Sequence, residues 1–314
     1  MATAPHDPPA ALALTRGEPL SRHTYMRIGG LAAYFGVPED IAHLSRIAAW
    51  AAEAGLPLRV IGGGSNVLVA DAGVRAVVVS LRRACGAVVF DGTHVEAGAA
   101  VMLPALARAA AEHDLGGLEF AVGIPGSVGG ALQSNAGIGD GRAIGPLVRA
   151  VTVLRGGVPV TLEAEAIRFD YRTSTLRGAL RDTRELVLDA TLALTPRPRA
   201  EVEAEMRALL EARQRTQPTA EPNAGSIFRN PPGDAAGRLI DAAGCKGLVV
   251  GHASVSTLHA NFIVHDGTGT AADIAALMAE VQRRVFAASG VRLRPEVEWW
   301  GDGDPPEAFR LADE

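Results

Sequence analysis

The sequence predicts an α+β fold, with helices and strands mixed in an order that never settles into regular βα alternation. Three observations carry this. Apolar stripes of helical period recur in well-separated places. Short aliphatic runs of strand length lie between them. No internal repeat or heptad run organises the chain.

Taken in order, residues 41–55 read as an amphipathic helix. Ile41, Leu44, Ile47, Ala48 and Ala51 form one face, and Gly55 closes it. Residues 57–61 read as a strand, followed by Gly62-Gly63-Gly64-Ser65-Asn66 and a second strand at 67–69. Short strands are expected at 76–80, 87–90 and 94–97, then a helix at 103–113 that stops near Gly116-Gly117. A second glycine-rich loop runs from Gly123 to Gly137. Strands follow at 148–154, 159–162 and 186–194. Thr195-Pro196-Arg197-Pro198 breaks the pattern and marks a domain boundary. Beyond it come a charged helix at 200–215, a loop with Asn223-Ala224-Gly225-Ser226 and a short helix at 236–243. A strand at 262–264, a strongly periodic helix at 271–287 and a strand at 291–300 complete the chain.

Composition narrows the function. The 314 residues allow two domains or one large one. No apolar stretch of about 18 residues is free of charge, so no transmembrane helix is expected. A net charge of −5 argues against a general nucleic-acid surface. Cys85 and Cys245 are isolated, which suits a reducing cytoplasm and gives no disulfide framework. Residues 1–20 lack the charged and apolar blocks of a signal peptide. With Pro8-Pro9 they read as a flexible extension. His252, His259 and His265 have no recognised metal-ligand spacing. Aromatics are scarce at 4%, and Lys246 is the sole lysine among 30 basic residues, as an Ala/Gly/Arg-biased genome would produce.

The 36 glycines carry more information where they cluster. A strand, three glycines, Ser-Asn and another strand can converge N–H groups on an anion. A tight turn explains the same run. Gly62–Asn66 is not a Walker A loop, because the Lys-Ser/Thr pair is missing. It also fails the Rossmann fingerprint, which needs a third glycine and a helix next. The second cluster adds Gly123, Pro125, Gly126, Ser127, Gly129, Gly130, Asn135 and Gly137, with few charges. Two such loops some 60 residues apart suit the two ends of a dinucleotide.

These motifs, in order, resemble those of the UDP-N-acetylenolpyruvoylglucosamine reductases, also called UDP-N-acetylmuramate dehydrogenases. Arg27-Ile28-Gly29-Gly30 and the two glycine clusters match the FAD-binding half. Tyr171-Arg172-Thr173-Ser174, Ala224 to Pro231, Ala236 to Ile240, Val255-Ser256, His259 to Phe262 and Pro295-Glu296-Val297 continue the match. The resemblance implies a vanillyl-alcohol-oxidase/PCMH-type FAD-binding domain of two subdomains at 21–196. A C-terminal α+β substrate domain would follow at 197–314. It also implies NADPH-dependent, FAD-mediated reduction of the enolpyruvyl group of UDP-N-acetylglucosamine enolpyruvate in peptidoglycan synthesis. FAD would be non-covalent, the partner a small nucleotide sugar, and neither nucleic acid nor membrane would be involved.

On that resemblance, Ser226 is the proton donor, Arg172 faces the substrate carboxylate, and Glu296 lies beside the developing negative charge. Read without it, Ser226 is a turn serine, Arg172 a surface ion pair and Glu296 an edge-strand glutamate. A carboxylate near that charge would repel it, so Glu296 must be protonated or must orient Arg172 or a water. Arg27, Gly62, Gly63, Gly64, Ser65, Asn66 and the named residues of the second cluster are assigned to FAD. Arg215, Arg229 and Asn230 are assigned to the substrate, with Arg213 equally placed in sequence.

The chain departs from the family's pattern at Gln133-Ser134, where methionine or a similar residue is common, and at 138–140. Ile138-Gly139-Asp140 replaces the usual Ala-Tyr-Gly and removes an aromatic. Only 54 residues separate Arg172 from Ser226, which matches the shorter subgroup. Two other functions remain. One is another FAD oxidoreductase of the same superfamily, such as an alcohol or sugar oxidase; many of those attach FAD through a histidine near the first glycine loop, and its absence from Gly62–Asn66 argues against this reading. The other is a non-catalytic nucleotide-sugar binder, against which the joint retention of Arg172, Ser226 and Glu296 speaks.

Overall fold

The structure is a computed structural model and describes residues 7–177 and 185–313. The chain divides into two compact units. The first comprises Met1–Arg16, Tyr34–Gly63 and Ala76–Ala212; the second comprises Gly17–Ala33, Gly64–Arg75 and Arg213–Glu314. This division falls inside the helix Arg199–Thr216, downstream of the Thr195–Pro198 break.

In the first unit, Asp40 starts the helix Ile41–Glu53 by accepting from His43 N–H at 2.7 Å. His43, Leu44, Ile47, Trp50 and Ala51 form its buried face; the spacing predicts Leu44, Ile47 and Ala51 of these, while Ile41 and Ala48 are only partly buried. Burying each such leucine or isoleucine is worth roughly 1.5–3 kcal/mol. The strand Leu58–Val60 runs parallel to Val77–Val79 and delivers the chain into the first glycine cluster. A five-stranded antiparallel sheet follows the order Val158–Glu163, Val148–Arg155, Leu186–Ala193, His94–Gly98, Val88–Asp91. The helix Leu103–Glu112 buries Leu103, Leu106, Ala107, Ala110 and Ala111.

In the second unit, three separate stretches of chain share one core. Met26, Ile28 and Leu68 pack in a cluster with Ile227, Phe228, Ile240, Ile274 and Leu277. The helix Ala271–Ser289 opens with a Thr270–Asp273 capping box and ends at Gly290, whose φ of 72° suits a residue without Cβ. Asp71 accepts from the N–H groups of both Ala271 and Ala272, at 2.8 and 2.9 Å. Glu298–Trp300 pairs in parallel with Val67–Val69.

Several expectations are corrected. Residues 10–12 form a 3-10 turn and Thr15–Pro19 a strand, where a flexible extension was expected; Arg16 donates to the Tyr34 hydroxyl at 3.1 Å. Residues 1–6 of that extension lie outside the described residues. The second glycine cluster is not all loop. It contains the helix Val128–Ser134, because Val128 and Gly129 donate to Val101 and Ala99 carbonyls and fix its first turn. The strand expected at 291–300 is confined to Glu298–Trp300; Pro295, which has no N–H, makes only an isolated bridge to Phe228. Leu31–Gly36, Val249–Val250 and Ala253–Val255 are strands that periodicity did not reveal. Among the described residues, no helix is long and apolar enough to cross a membrane.

Candidate FAD and active-site residues

Gly62 and Gly63, which belong to the first unit, lie against the second glycine cluster. A Cβ on Gly62 would run into the Ser127 hydroxyl, and one on Gly63 would lie 2.9 Å from Met102 Cε and 3.5 Å from Gly126 Cα. Gly126 and Ser127 are held there by the Leu103 N–H bond to Gly126 and the Met102–Ser127 bridge. Among the described residues, the N–H groups of Gly62, Gly63, Gly64 and Ser65 donate no hydrogen bond within the protein. Ser127 is buried at the helix N-terminus, yet its hydroxyl does not cap it. Consecutive unsatisfied donors beside closely packed glycines fit a diphosphate lying against bare backbone.

Other expected cofactor residues take defined places. Gly129 backs onto Ala99, where a Cβ would approach within 3.1 Å, and Gly130 lies on the exposed side of the same turn. Gly123 ends a 3-10 helix, and Pro125 lies in the turn between Ile124 and Gly126. Asn135 adopts φ 44° and works inside the protein: its Oδ1 accepts from Gly145 N–H, and its Nδ2 donates to Asp170 O, both at 3.0 Å. Gly137 lies on a hairpin opposite Ala143.

Arg172 occupies the tight turn between Phe169–Asp170 and Thr173–Ser174. Its φ of 56° is uncommon for a residue with a Cβ. The cost of that conformation makes it a functional candidate by an argument independent of the motif. Its Nη1 donates to the Gly137 carbonyl at 3.0 Å, which orients the guanidinium toward the second glycine cluster.

Ser226 and Glu296 belong to the second unit and lie on neighbouring, hydrogen-bonded segments. Glu296 N–H donates to Ile227 O at 2.8 Å, and Arg229 N–H to Arg294 O at 2.9 Å, around the Phe228–Pro295 bridge. Asn66 joins this pair from the end of the first glycine cluster. Its Nδ2 donates to Glu296 O at 3.1 Å, while its carbonyl accepts from Glu298 N–H at 3.0 Å. One amide hydrogen of Asn66 is therefore engaged in aligning the Glu296 segment. Gly64 adopts φ +62°, where a Cβ would run into the His23 carbonyl, and its own carbonyl accepts from Tyr25 N–H. Arg27 is exposed, with φ 55°.

Of the substrate candidates, Arg215 is exposed, whereas Arg213 is half-buried and desolvation lowers its pKa. Asn230 Oδ1 accepts from Ala236 N–H at 2.9 Å and so starts the helix Ala236–Ala242. Arg229 is half-buried next to it in sequence.

Sequence reasoning missed two residues. Asn261 is buried and grips the Phe228 backbone at both ends, accepting its N–H at 3.0 Å and donating to its carbonyl at 2.8 Å. Its own carbonyl accepts Ile227 N–H, so it sets the segment that carries Ser226. The His-Ala-Asn-Phe run was its one signal. Gln217 holds a buried Oε1 with no hydrogen-bond partner among the described residues. The three histidines have separate duties: His252 pairs with Asp266, His259 accepts Asn261 N–H, and His265 bridges Gly267 N–H and Met26 O.

Residues 217–300 match the family described as UDP-N-acetylenolpyruvoylglucosamine reductase, C-terminal domain, and residues 32–156 match an FAD binding domain. The UDP-N-acetylenolpyruvoylglucosamine reductase 2 of Symbiobacterium thermophilum is 45% identical, over 92% of each chain. This chain belongs to the UDP-N-acetylenolpyruvoylglucosamine reductase family. The reductase of Moorella thermoacetica is 43% identical, over 93% of this chain and 95% of its own. The crystal structure of the reductase from Thermus caldophilus superposes with a TM-score of 0.76, at 36% identity, over 91% of this chain and 99% of that one. The FAD binding domain match takes in both glycine clusters through Gly137, and the bare N–H groups at Gly62–Ser65 suit that cofactor's diphosphate.

Proposed function

We propose that this protein reduces the enolpyruvyl group of UDP-N-acetylglucosamine enolpyruvate to UDP-N-acetylmuramate, using NADPH and non-covalent FAD, for peptidoglycan synthesis in the cytoplasm. The observation that carries this reading is the tie from the glycine loop through Asn66 to Glu296, and from Glu296 to the residue after Ser226. The backbone segments that carry Ser226 and Glu296 are thereby tied to the end of the glycine loop. Residues 21–196 would hold chiefly the cofactor, and 197–314 the substrate.

Bound FAD would supply hydride transfer, from NADPH to the terminal carbon of the enolpyruvyl C=C. The protein must then manage the negative charge on the adjacent carbon and its carboxylate. Arg172 supplies a bidentate cationic fork for that carboxylate, a geometry that lysine lacks. Ser226 gives its hydroxyl proton to the adjacent carbon and recovers one from solvent, completing a hydride-plus-proton addition. Glu296 serves as a neutral donor or holds a water. Arg213, Arg215, Arg229 and Asn230 serve the nucleotide diphosphate and sugar.

Stopped-flow flavin absorbance tests this directly. The holoenzyme should bleach with NADPH and recover its colour on adding the enolpyruvyl substrate. A reduced enzyme that the substrate fails to reoxidise overturns the reading. Ser226→Ala should bleach at the wild-type rate and recover at least 100-fold more slowly, as expected for loss of a positioned acid worth roughly 10²–10⁴ in rate.

A further inference from the structure

We propose that Glu205, on the helix Arg199–Thr216, is a positioning residue for Arg172 and acts through Arg142 and the 136–144 hairpin. The inference rests on the role given to Arg172 above. It starts from the hairpin that carries Ile138-Gly139-Asp140.

The hairpin is narrow. Ile138 N–H donates to Arg142 O and Ile144 N–H to Ala136 O, both at 3.0 Å, with Gly137 opposite Ala143. Gly137 and Arg142 therefore move together. The Gly137 carbonyl is the one that accepts from Arg172 Nη1. Packing does not hold the tip, because a Cβ on Gly139 or Gly141 would meet nothing within 4 Å. Charge holds it instead. Arg142 Nε donates to Asp140 Oδ2 at 2.8 Å within the turn, and its Nη1 donates to Glu205 Oε1 at 2.5 Å outside it.

Glu205 is itself anchored. Its Oε2 accepts from Arg197 Nη1 at 2.6 Å, and the same nitrogen donates to Glu119 Oε1 at 2.8 Å. Glu119 is buried, and its Oε2 accepts Gly117 N–H at 2.8 Å. The line from buried Glu119 through Arg197, Glu205 and Arg142 thus fixes one limb of the hairpin whose other limb orients Arg172. The two arginines hold the Glu205 carboxyl below its usual pKa, so it stays charged at neutral pH. Arg142 and Glu205 are about one-third exposed, at 36% and 30%, and ion pairs of that exposure add little to stability. Their consequence is geometric, as the direction of the Arg172 fork depends on where the Gly137 carbonyl lies.

The test is a double-mutant cycle on the holoenzyme, read in single turnover. Glu205→Gln should bind FAD and be reduced by NADPH as the wild type is. Its reoxidation by the enolpyruvyl substrate should slow about tenfold, with kcat falling more than KM rises, a modest share of what a misplaced catalytic group can cost. In an Arg172→Lys background, the same substitution should change reoxidation less than twofold, because its effect is transmitted through Arg172. Arg142→Gln should reproduce the pattern, and it carries the test if Glu205→Gln does not fold. Wild-type reoxidation in Glu205→Gln and Arg142→Gln, or equal slowing in both backgrounds, overturns the proposal while the reading of Arg172 stands. Wild-type reoxidation in Arg172→Lys alone would overturn that reading and this proposal together.

Discussion

Asn66 aligns the segment that bears Glu296. Its Nδ2 holds the Glu296 carbonyl at 3.1 Å, and its own carbonyl receives Glu298 N–H at 3.0 Å. One residue at the end of a glycine loop thus sets the register of a segment 230 positions further along the chain. Asn66→Ala removes the first bond and leaves the second. The expected cost is about 1 kcal/mol of stability, or roughly 2 °C in Tm, because one net hydrogen bond is lost. Turnover should fall further than that figure suggests if Glu296 must be aligned. Thermal melts and steady-state rates, measured on the same preparation with flavin content matched, would show both effects.

Gly64 should tolerate no side chain. Its left-handed φ costs an L-residue about 1–2 kcal/mol, and the His23 carbonyl occupies the space that a Cβ needs. Gly64→Ala is expected to purify with depleted flavin and a lowered Tm. Gly233→Ala is the control: its φ of +77° is similarly left-handed, but the space around it is open. Full flavin content in Gly64→Ala would contradict the close approach seen here.

Arg172→Lys retains the charge and loses the fork. The bond to the Gly137 carbonyl and a bidentate grip on carboxylate cannot both be kept by one ammonium group. Reoxidation by substrate should slow by roughly 100-fold, about 2.7 kcal/mol of transition-state stabilisation. Reduction by NADPH should be unaffected. Slowing of both half-reactions alike would point to a general distortion instead.

The charge line through Glu205 predicts a pH dependence of stability. Hydrogen bonds from Arg197 and then Arg142 lower the Glu205 pKa in the folded state. A lowered carboxylate pKa stabilises the fold above the unfolded value, near 4.3, and the contribution is lost as pH falls through the folded value. Wild-type Tm should therefore drop more steeply between pH 5 and pH 3, roughly the window around that value, than Tm of Glu205→Gln. Parallel curves for the two proteins would show that Glu205 contributes no such linkage.

Much of the secondary structure was legible because local forces determine it. The 41–55 stripe became Ile41–Glu53, and the 271–287 stripe became Ala271–Ser289, since one apolar face and a cap suffice to specify a helix. The helix Val128–Ser134 was hidden because glycines at 129 and 130 erase the periodic signal; its first turn is set by Val101 and Ala99 carbonyls from elsewhere. Arg213 and Arg215 were indistinguishable by spacing, and burial separates them.

By itself the sequence determined the elements, the two glycine clusters and the order of motifs that places the chain in its family. Those depend on side-chain period, on backbone freedom and on residue identity, all of which are local. Tertiary structure alone decided that Gly17–Ala33 and Gly64–Arg75 belong with Arg213–Glu314, and that Gly62 faces Ser127. It also joined the Asn66 side chain to the Glu296 carbonyl, Glu205 to Arg142, and Arg172 to the Gly137 carbonyl. These are hydrogen bonds and close approaches between residues tens to hundreds of positions apart. No local period encodes them, because their partners are chosen only when the chain packs.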